Sequence, residues 1–116
     1  MLYSDKLEIE SFLKEFKIKL KTFDIIFKNR EKNEQALYDL EITPAQRLKY
    51  LEKLKTEDYY RDPNEDLFDP ESLPFWEFGV TIKNKQVYIK ISLWRGREVL
   101  CISFHIAEKK MTYPYK

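Results

Sequence analysis

Cysteine, histidine and glycine are scarce in this sequence of 116 residues, which has one cysteine, one histidine and two glycines. A single cysteine excludes an internal disulfide and any metal site built from several cysteines. With only one histidine as well, a zinc site would need several carboxylates, so we expect no zinc centre. The sequence also lacks a glycine-rich phosphate loop and the Gly-x-Ser-x-Gly motif of serine hydrolases.

Long apolar runs are missing too, as is a start with the composition of a secretion signal. We therefore expect a soluble, cytoplasmic protein that does not contact a membrane. The apolar fraction of 43% and the aromatic fraction of 16% are typical of a globular chain. A chain of this length is large enough for one core, so the prediction is a single domain over residues 1–116.

The net charge of +1 is small, but the charges are unevenly distributed. Residues 57–75 hold seven acids and one base, Arg61, whereas residues 76–116 hold eight bases and three acids. A basic half can bind an anion such as nucleic acid. The alternative is that these bases only keep the surface hydrated, and charge alone leaves both interpretations open.

The first half of the sequence shows helical spacing. Asp5 followed by Glu8 predicts the start of a helix over residues 6–21, in which apolar residues recur every three or four positions. A short strand is predicted at residues 23–27. A short helix is predicted at residues 33–40, with its leucines facing inward.

A further helix is predicted to begin at Thr43, where a threonine cap precedes a proline and, three residues on, a glutamine. Its buried stripe consists of three leucines, Leu48, Leu51 and Leu54. One more turn is predicted from Thr56 onward. Residues 61–74 hold three prolines and many acids, which favours a loop.

From Phe75 onward the hydrophobic period changes to two. This pattern predicts three strands, at residues 75–82, 86–94 and 99–106. Helices followed by an antiparallel meander indicate an α+β fold, with N-terminal helices packed on one face of a small antiparallel sheet.

Two turns set the expected register of these strands. Gly96-Arg97 suits a two-residue type II′ turn, and the first hairpin is expected to turn at Asn84-Lys85. The core-facing pairs are then Leu93–Leu100, Ile91–Ile102 and Ile89–Phe104. The polar-facing pairs are Ser92–Cys101, Lys90–Ser103, Tyr88–His105, Thr81–Tyr88, Gly79–Lys90 and Glu77–Ser92. A slip by one residue would bury a lysine or the histidine, which favours this register.

Three reactive side chains meet on the predicted polar face: Tyr88, Lys90 and His105. Opposite side chains lie about 5 Å apart and next-but-one neighbours about 7 Å apart, so all three could reach one phosphate. Gly79 in the middle of a strand suggests the close approach of a ligand or of backbone. The alternative is that this face is the hydrated side of a half-buried antiparallel sheet.

Cys101 and His105 lie four residues apart on one predicted strand, which separates them by about 13 Å. That distance excludes a thiol–imidazole dyad and a shared metal ion. Cys101 is therefore expected to be a small packed residue.

Five segments, in order and spacing, resemble toxins of the MqsR family: EDYYRDP, WEFG, VYIKISL, CISFH and YPYK, within residues 50–116. Those proteins are toxins of bacterial type II toxin–antitoxin systems and have a RelE-like fold. The resemblance implies an mRNA endoribonuclease that works without metal or other cofactor and is held inactive by a cognate antitoxin. It leaves open whether the mRNA must be on the ribosome.

The resemblance also implies site residues. Tyr88 in VYIK matches a tyrosine of the family's active site, His105 and Arg61 fall at lysine positions, and Glu77 falls at a glutamine position. Metal-free cleavage of RNA needs a base for the 2′-hydroxyl, an acid for the 5′-oxygen and cations near the phosphorus. We expect His105 to be the acid or the base, with Glu77 or Tyr88 as its counterpart. Lys90 and Arg61 are expected to stabilise the developing charge.

The C-terminal tail supplies three candidates for RNA binding, Tyr113, Tyr115 and Lys116. The tyrosines could stack on unpaired bases, or they could only pack on the edge of the sheet. The competing hypothesis for the whole protein is a non-enzymatic interaction module of RelE-like fold, or an inhibitor of gyrase. Growth and bulk mRNA after induction of the protein alone would separate these hypotheses.

Overall fold

The structure, a computed structural model, describes residues 4–61, 75–93 and 98–116. Over these residues the chain forms three α-helices, one 3-10 turn and five strands. The helices are α1 (Lys6–Thr22), α2 (Glu31–Leu40) and α3 (Pro44–Glu52), and the 3-10 turn is Thr56–Asp58. The strands are β1 (Ile25–Phe27), β2 (Tyr59–Arg61), β3 (Phe75–Ile82), β4 (Lys85–Leu93) and β5 (Val99–Ile106). The predicted α+β class is confirmed.

Side-chain caps place two helix starts where the sequence predicts them. The Asp5 carboxylate accepts a hydrogen bond from the Glu8 amide at 2.9 Å. Thr43 and Gln46 form a reciprocal capping box, in which each backbone amide donates to the other side chain, at 2.9 and 3.1 Å. The helix α2 begins at Glu31, two residues before the predicted start.

The predicted leucine stripe of α3 is only partly right. Leu51 is fully buried and Leu54 is buried just beyond the end of the helix, but Leu48 is half-buried. Arg47 occupies the buried position instead, with its guanidinium carbon 3.5 Å from the ring centroid of Phe27. A cationic side chain can pack in this way because its flat face stacks on an aromatic ring.

The five strands form one sheet in the order β1-β5-β4-β3-β2. The predicted meander of β3, β4 and β5 is confirmed, but the sheet is mixed, because β1 runs parallel to β5. The strand β2 pairs antiparallel with β3, although the sequence predicted no strand there. The strand β1 lies within the short strand predicted at residues 23–27, and both β1 and β2 are three residues long. Strands this short show too little alternation to specify their partners. The predicted loop at residues 62–74 lies outside the described residues.

The core lies between the helices and one face of the sheet. Phe78, Ile89 and Phe104 form a row across β3, β4 and β5, and all three are fully buried. The ring of Phe12 in α1 stacks on Trp76, with centroids 4.7 Å apart. Burying each such side chain contributes roughly 1.5–3 kcal/mol, so this face anchors the sheet on the helices. Within the described ranges, the helices are too short or too polar to span a membrane.

The first hairpin turns one residue earlier than predicted. Lys83 and Asn84 have φ values of 50° and 69°, as a type I′ turn requires, and asparagine tolerates this conformation well. The turn places Gly79 opposite Tyr88 and Glu77 opposite Lys90, so the three pairs expected for this hairpin are wrong. The pairing shifts by two residues, an even number, and therefore each side chain keeps its predicted face.

The second hairpin follows the predicted register only at its far end. Tyr88 pairs with His105, Ile89 with Phe104 and Lys90 with Ser103, as expected. A bulge in β5 then shifts the register, and the pairs become Ile91–Cys101, Ser92–Leu100 and Leu93–Val99. The expected pairs Ile91–Ile102, Ser92–Cys101 and Leu93–Leu100 are therefore wrong. Cys101 belongs to the core rather than to the polar face, and the predicted turn at residues 96–97 lies outside the described residues.

The buried side chain of Asn33 in α2 holds this bulge. Its amide nitrogen donates to the carbonyls of Ile102 and Lys28, at 3.0 and 3.1 Å, and its oxygen accepts from the amide of Phe104 at 3.0 Å. A bulge leaves backbone groups without ladder partners, and buried groups of this kind need a replacement. Asn33 supplies it from a different element.

Candidate functional site

A cleft with a volume of about 260 Å³ opens over the polar face of β4 and β5. Its floor is formed by Tyr88, Lys90, Ser103 and His105, and β2 adds Tyr60 and Arg61. Its rim is formed by the start of α2 and by the chain after β5: Arg30, Lys32, Ala107, Glu108, Lys109 and Met111. The structure thus brings together four of the predicted site residues, His105, Tyr88, Lys90 and Arg61.

The rings of Tyr88 and His105 lie side by side on neighbouring strands. Their centroids are 5.4 Å apart and their planes are inclined at 43°. Nδ1 of His105 lies 2.9 Å from the carbonyl oxygen of Ile106. A carbonyl only accepts hydrogen bonds, so Nδ1 carries the hydrogen. In the neutral ring Nε2 is then the nitrogen that can take up a proton.

Glu77 is a buried carboxylate beneath the cleft, with 2% of its surface exposed. Arg61 donates to it twice, from Nε at 2.5 Å and from Nη2 at 3.4 Å, and the Tyr88 hydroxyl donates to the same carboxylate. These bonds compensate a buried charge that would otherwise be costly. Glu77 therefore holds Arg61 and Tyr88 in place and is not among the residues that line the cleft.

The hydroxyl of Tyr88 stays protonated over the whole physiological range. Burial raises the pKa of Tyr88, and the hydrogen bond to the Glu77 carboxylate raises it further. The hydrogen bond that Arg61 itself donates to Glu77 raises the pKa of Arg61 and keeps it cationic. Of the two expected counterparts of His105, Tyr88 is therefore a donor rather than a base, and Glu77 is engaged with two partners.

Lys90 lies between the reactive pair and the aromatic end of β3. Its Nζ is 3.6 Å from the ring centroid of Phe75, a cation–π contact that fixes the ammonium group beside the cleft. Glu77 and Ser103 are its neighbours across the strands, as the register requires.

Sequence reasoning missed Tyr60 and the three rim bases, Arg30, Lys32 and Lys109. The Tyr60 ring meets Tyr88 edge to face, at 6.5 Å and 90°, and the Arg61 guanidinium lies 4.8 Å from its centroid. The segment DYYR contains Tyr60 next to Arg61, but no strand was predicted there and so no face could be assigned. The rim bases come from α2 and from the chain after β5, which only the tertiary structure brings together.

The tail candidates Tyr113, Tyr115 and Lys116 do not line the cleft. The Tyr115 hydroxyl donates to the Ser4 carbonyl at 2.5 Å, and its ring lies 5.9 Å from that of Tyr59 in the core. Tyr113 packs on β3, and Lys116 lies 5.4 Å from the Tyr113 ring centroid. The two tyrosines therefore pack on the protein itself, which is the alternative considered for them in the sequence analysis.

Gly79 accommodates this tail. A Cβ atom at Gly79 would lie 2.6 Å from Met111 Cε and 2.6 Å from the Tyr113 hydroxyl. A close approach at this glycine was expected, but the approaching groups are side chains of the protein's own tail. The Gln86 side chain clasps the same segment, because it donates to the Met111 carbonyl and accepts from the Met111 amide, at 3.1 and 3.0 Å.

Comparison of this chain with protein-family models, curated proteins and solved structures finds no match. Membership of the MqsR family therefore stays a prediction from the sequence segments. Among the residues that the structure describes, no three histidine, cysteine or acidic side chains are grouped so as to hold a metal ion.

Proposed function

We propose that this protein is the toxin of a bacterial type II toxin–antitoxin system, that it cleaves mRNA as an endoribonuclease, and that a cognate antitoxin neutralises it. The observation that carries the proposal is the cleft, in which His105 lies beside cationic side chains. Of the residues that the structure describes, five bases and one carboxylate line it: Arg30, Lys32, Arg61, Lys90, Lys109 and Glu108. A polyanion suits such a lining, and the sequence segments that resemble MqsR toxins support the same function.

Aromatic rings in the cleft favour single-stranded RNA as the substrate. Tyr60, Tyr88 and His105 lie close to one another on the floor of the cleft. Unpaired bases can stack on such rings, whereas the bases of a duplex are already stacked on each other. The cleft therefore suits a nucleotide from a single strand.

In the proposed reaction the 2′-oxygen of one ribose attacks the neighbouring phosphorus, and the bond from phosphorus to the 5′-oxygen breaks. Nε2 of neutral His105 takes the proton of the 2′-hydroxyl, and the imidazolium then gives this proton to the departing 5′-oxygen. Lys90 and Arg61 stabilise the charge on the phosphate oxygens. The products are a 2′,3′-cyclic phosphate and a free 5′-hydroxyl.

The test is cleavage of a labelled single-stranded RNA by the purified protein in the presence of EDTA. We expect fragments with 2′,3′-cyclic phosphate ends, and His105→Ala should reduce the rate about 10²- to 10⁴-fold. Lys110→Ala, at an exposed position that does not line the cleft, is the matched control and should cleave at the wild-type rate. Equal rates for wild type and His105→Ala would overturn the role of His105.

A second experiment separates the nuclease from the competing functions. The protein is induced alone in bacterial cells, and growth and bulk mRNA are followed. Growth arrest with loss of mRNA is the expected result. Growth arrest with intact mRNA would indicate a toxin with another target, such as gyrase, and normal growth would indicate an interaction module.

A further inference from the structure

The rim of the cleft carries a group of charges that the proposed reaction does not use. This rim cluster consists of Arg30 and Lys32 at the start of α2 and of Glu108 and Lys109 after β5. Lys32 and Glu108 form an ion pair across the gap between these two segments. Their side chains are 65% and 62% exposed, so the pair is accessible to a ligand.

The rim cluster has three bases and one acid, and the acid is already paired. Within residues 4–61, 75–93 and 98–116, neither Arg30 nor Lys109 takes part in an ion pair. The hydrogen bond from Lys32 lowers the pKa of Glu108, so this group is a carboxylate at neutral pH. Exposed ion pairs are weak, and a phosphodiester can replace the carboxylate on Lys32 because Arg30 and Lys109 of the same rim cluster also attract it.

The rim cluster and the reactive side chains belong to one small cleft. The same cleft of about 260 Å³ is lined by Lys90, Arg61 and His105 and by the rim bases Arg30 and Lys32. If the scissile phosphate lies at His105, the next phosphate of the same strand reaches the rim without leaving the cleft. A strand with two successive phosphates offers one phosphate to the reactive side chains and one to the rim cluster.

We propose that the rim cluster binds the phosphate next to the scissile one, and that Glu108 occupies Lys32 until RNA displaces it. This inference rests on the proposed function and names its substrate class, a single-stranded RNA with at least two successive phosphates. A dinucleotide with one phosphate and a cyclic mononucleotide leave the rim empty.

The test measures binding without cleavage. Oligonucleotides of 2′-O-methyl RNA cannot form the 2′-oxyanion, so their affinity is read independently of the reaction, by competition with a labelled hexanucleotide. For the trinucleotide, Lys32→Ala should flatten the dependence of log affinity on log salt by about 0.7, the value for one phosphate contact on a single strand. Binding of the dinucleotide should not change. Glu108→Gln should strengthen binding of the trinucleotide, because it removes the competing carboxylate.

Two controls make the result specific. Glu41→Gln removes the acid of another exposed ion pair, Lys83–Glu41. It should change neither the affinity for the trinucleotide nor the affinity for the dinucleotide. With wild-type protein, a neutral methylphosphonate at one of the two linkages flanking the cut should weaken binding at least as much as Lys32→Ala does, because Arg30 and Lys109 lose the same phosphate charge. In the Lys32→Ala protein, the same linkage should weaken binding less than it does in the wild type.

The outcomes distinguish this inference from the proposed function. A wild-type protein that neither cleaves RNA nor binds the hexanucleotide overturns the nuclease, and the rim site with it. A wild-type protein that cleaves RNA, but whose Lys32→Ala and Arg30→Ala variants keep the wild-type salt dependence for the trinucleotide, overturns the rim site alone.

Discussion

At the scale of single residues, Glu77 shows how a buried charge organises the cleft. Its carboxylate receives both Arg61 and the Tyr88 hydroxyl, so the positions of two cleft residues depend on one side chain. A neutral amide at this position keeps one acceptor oxygen, which the Tyr88 hydroxyl and Arg61 Nη2 can share, whereas a methyl group leaves both side chains unpaired.

Glu77→Ala should therefore lower the free energy of unfolding by about 1–3 kcal/mol, and Glu77→Gln should lower it less. The loss is moderate because Arg61 is 24% exposed and water replaces part of the interaction. Urea-induced unfolding at neutral pH measures both variants, with Glu10→Ala, an exposed acid on α1, as the control. Equal stability of Glu77→Ala and wild type would contradict the assigned role.

Cys101 is the second residue whose burial has a measurable consequence. Burial raises the pKa of its thiol to about 12. The native thiol should not react with a disulfide reagent at pH 8, and unfolding in urea should make it reactive.

The same shift predicts how stability depends on pH. In the unfolded chain a cysteine ionises near pH 8.5, so between about 8.5 and 12 the unfolded state releases a proton that the native state keeps. Below this window the contribution to stability is fully present, and it is lost as the pH rises. From pH 8 to pH 10 the wild type should lose about 2 kcal/mol more than Cys101→Ala. Parallel losses in the two proteins would show that the thiol is not buried as described.

At the scale of elements, the bulge in β5 depends on a residue of α2. Asn33→Ala leaves three backbone groups without their partner, the buried amide of Phe104 and the part-buried carbonyls of Ile102 and Lys28. We expect the free energy of unfolding to fall by about 2–4 kcal/mol. Asn33→Asp should not restore it, because a carboxylate cannot donate to the two carbonyls. Thermal and urea unfolding measure the effect.

The control is Gln35→Ala, which removes an exposed side-chain bond to Asp39 on the same helix. It should leave stability within about 0.5 kcal/mol of wild type, as surface changes usually do. An Asn33→Asp protein as stable as wild type would show that the two donated hydrogen bonds do not hold the bulge.

The elements also show which parts of the fold the sequence could predict. The starts of α1 and α3 follow from caps within four residues, and β3, β4 and β5 follow from alternation. Tyr88, Lys90 and His105 were placed together correctly, because their stretch of the hairpin lies beyond the bulge. The turn error in the first hairpin left the polar face intact, because it shifted the pairing by an even number of residues.

What the sequence could not predict depends on contacts between distant segments. Asn33 is separated from its partners in β5 by 69 to 71 residues in the sequence. The local sequence of β5 therefore cannot predict a bulge that a side chain of α2 stabilises. The pairing of β1 with β5 and of β2 with β3 has the same origin. Tyr60 and the rim bases were missed because their elements meet only in the folded protein.

At the scale of the whole molecule, the two ends of the chain meet at the sheet. The tail passes over Gly79, is clasped by Gln86, and ends with Tyr115 bonded to Ser4 next to the start of α1. Tyrosines therefore occur in two environments, in the cleft at Tyr60 and against the core at Tyr115. The first environment suits a ligand and the second suits packing.

Two substitutions should separate these roles. Tyr60→Ala should weaken binding of single-stranded RNA by about 1–3 kcal/mol, the usual contribution of one stacked base, and should change stability little. Tyr115→Ala should lower the free energy of unfolding by about 2–4 kcal/mol, because it opens a gap beside Tyr59 and removes the bond to Ser4. The folded Tyr115→Ala protein should bind RNA as wild type does. Both variants are measured in two ways: fluorescence anisotropy gives the affinity for RNA, and urea-induced unfolding gives the stability. An affinity loss at Tyr115 with unchanged stability would place the base-stacking surface on the tail instead of in the cleft.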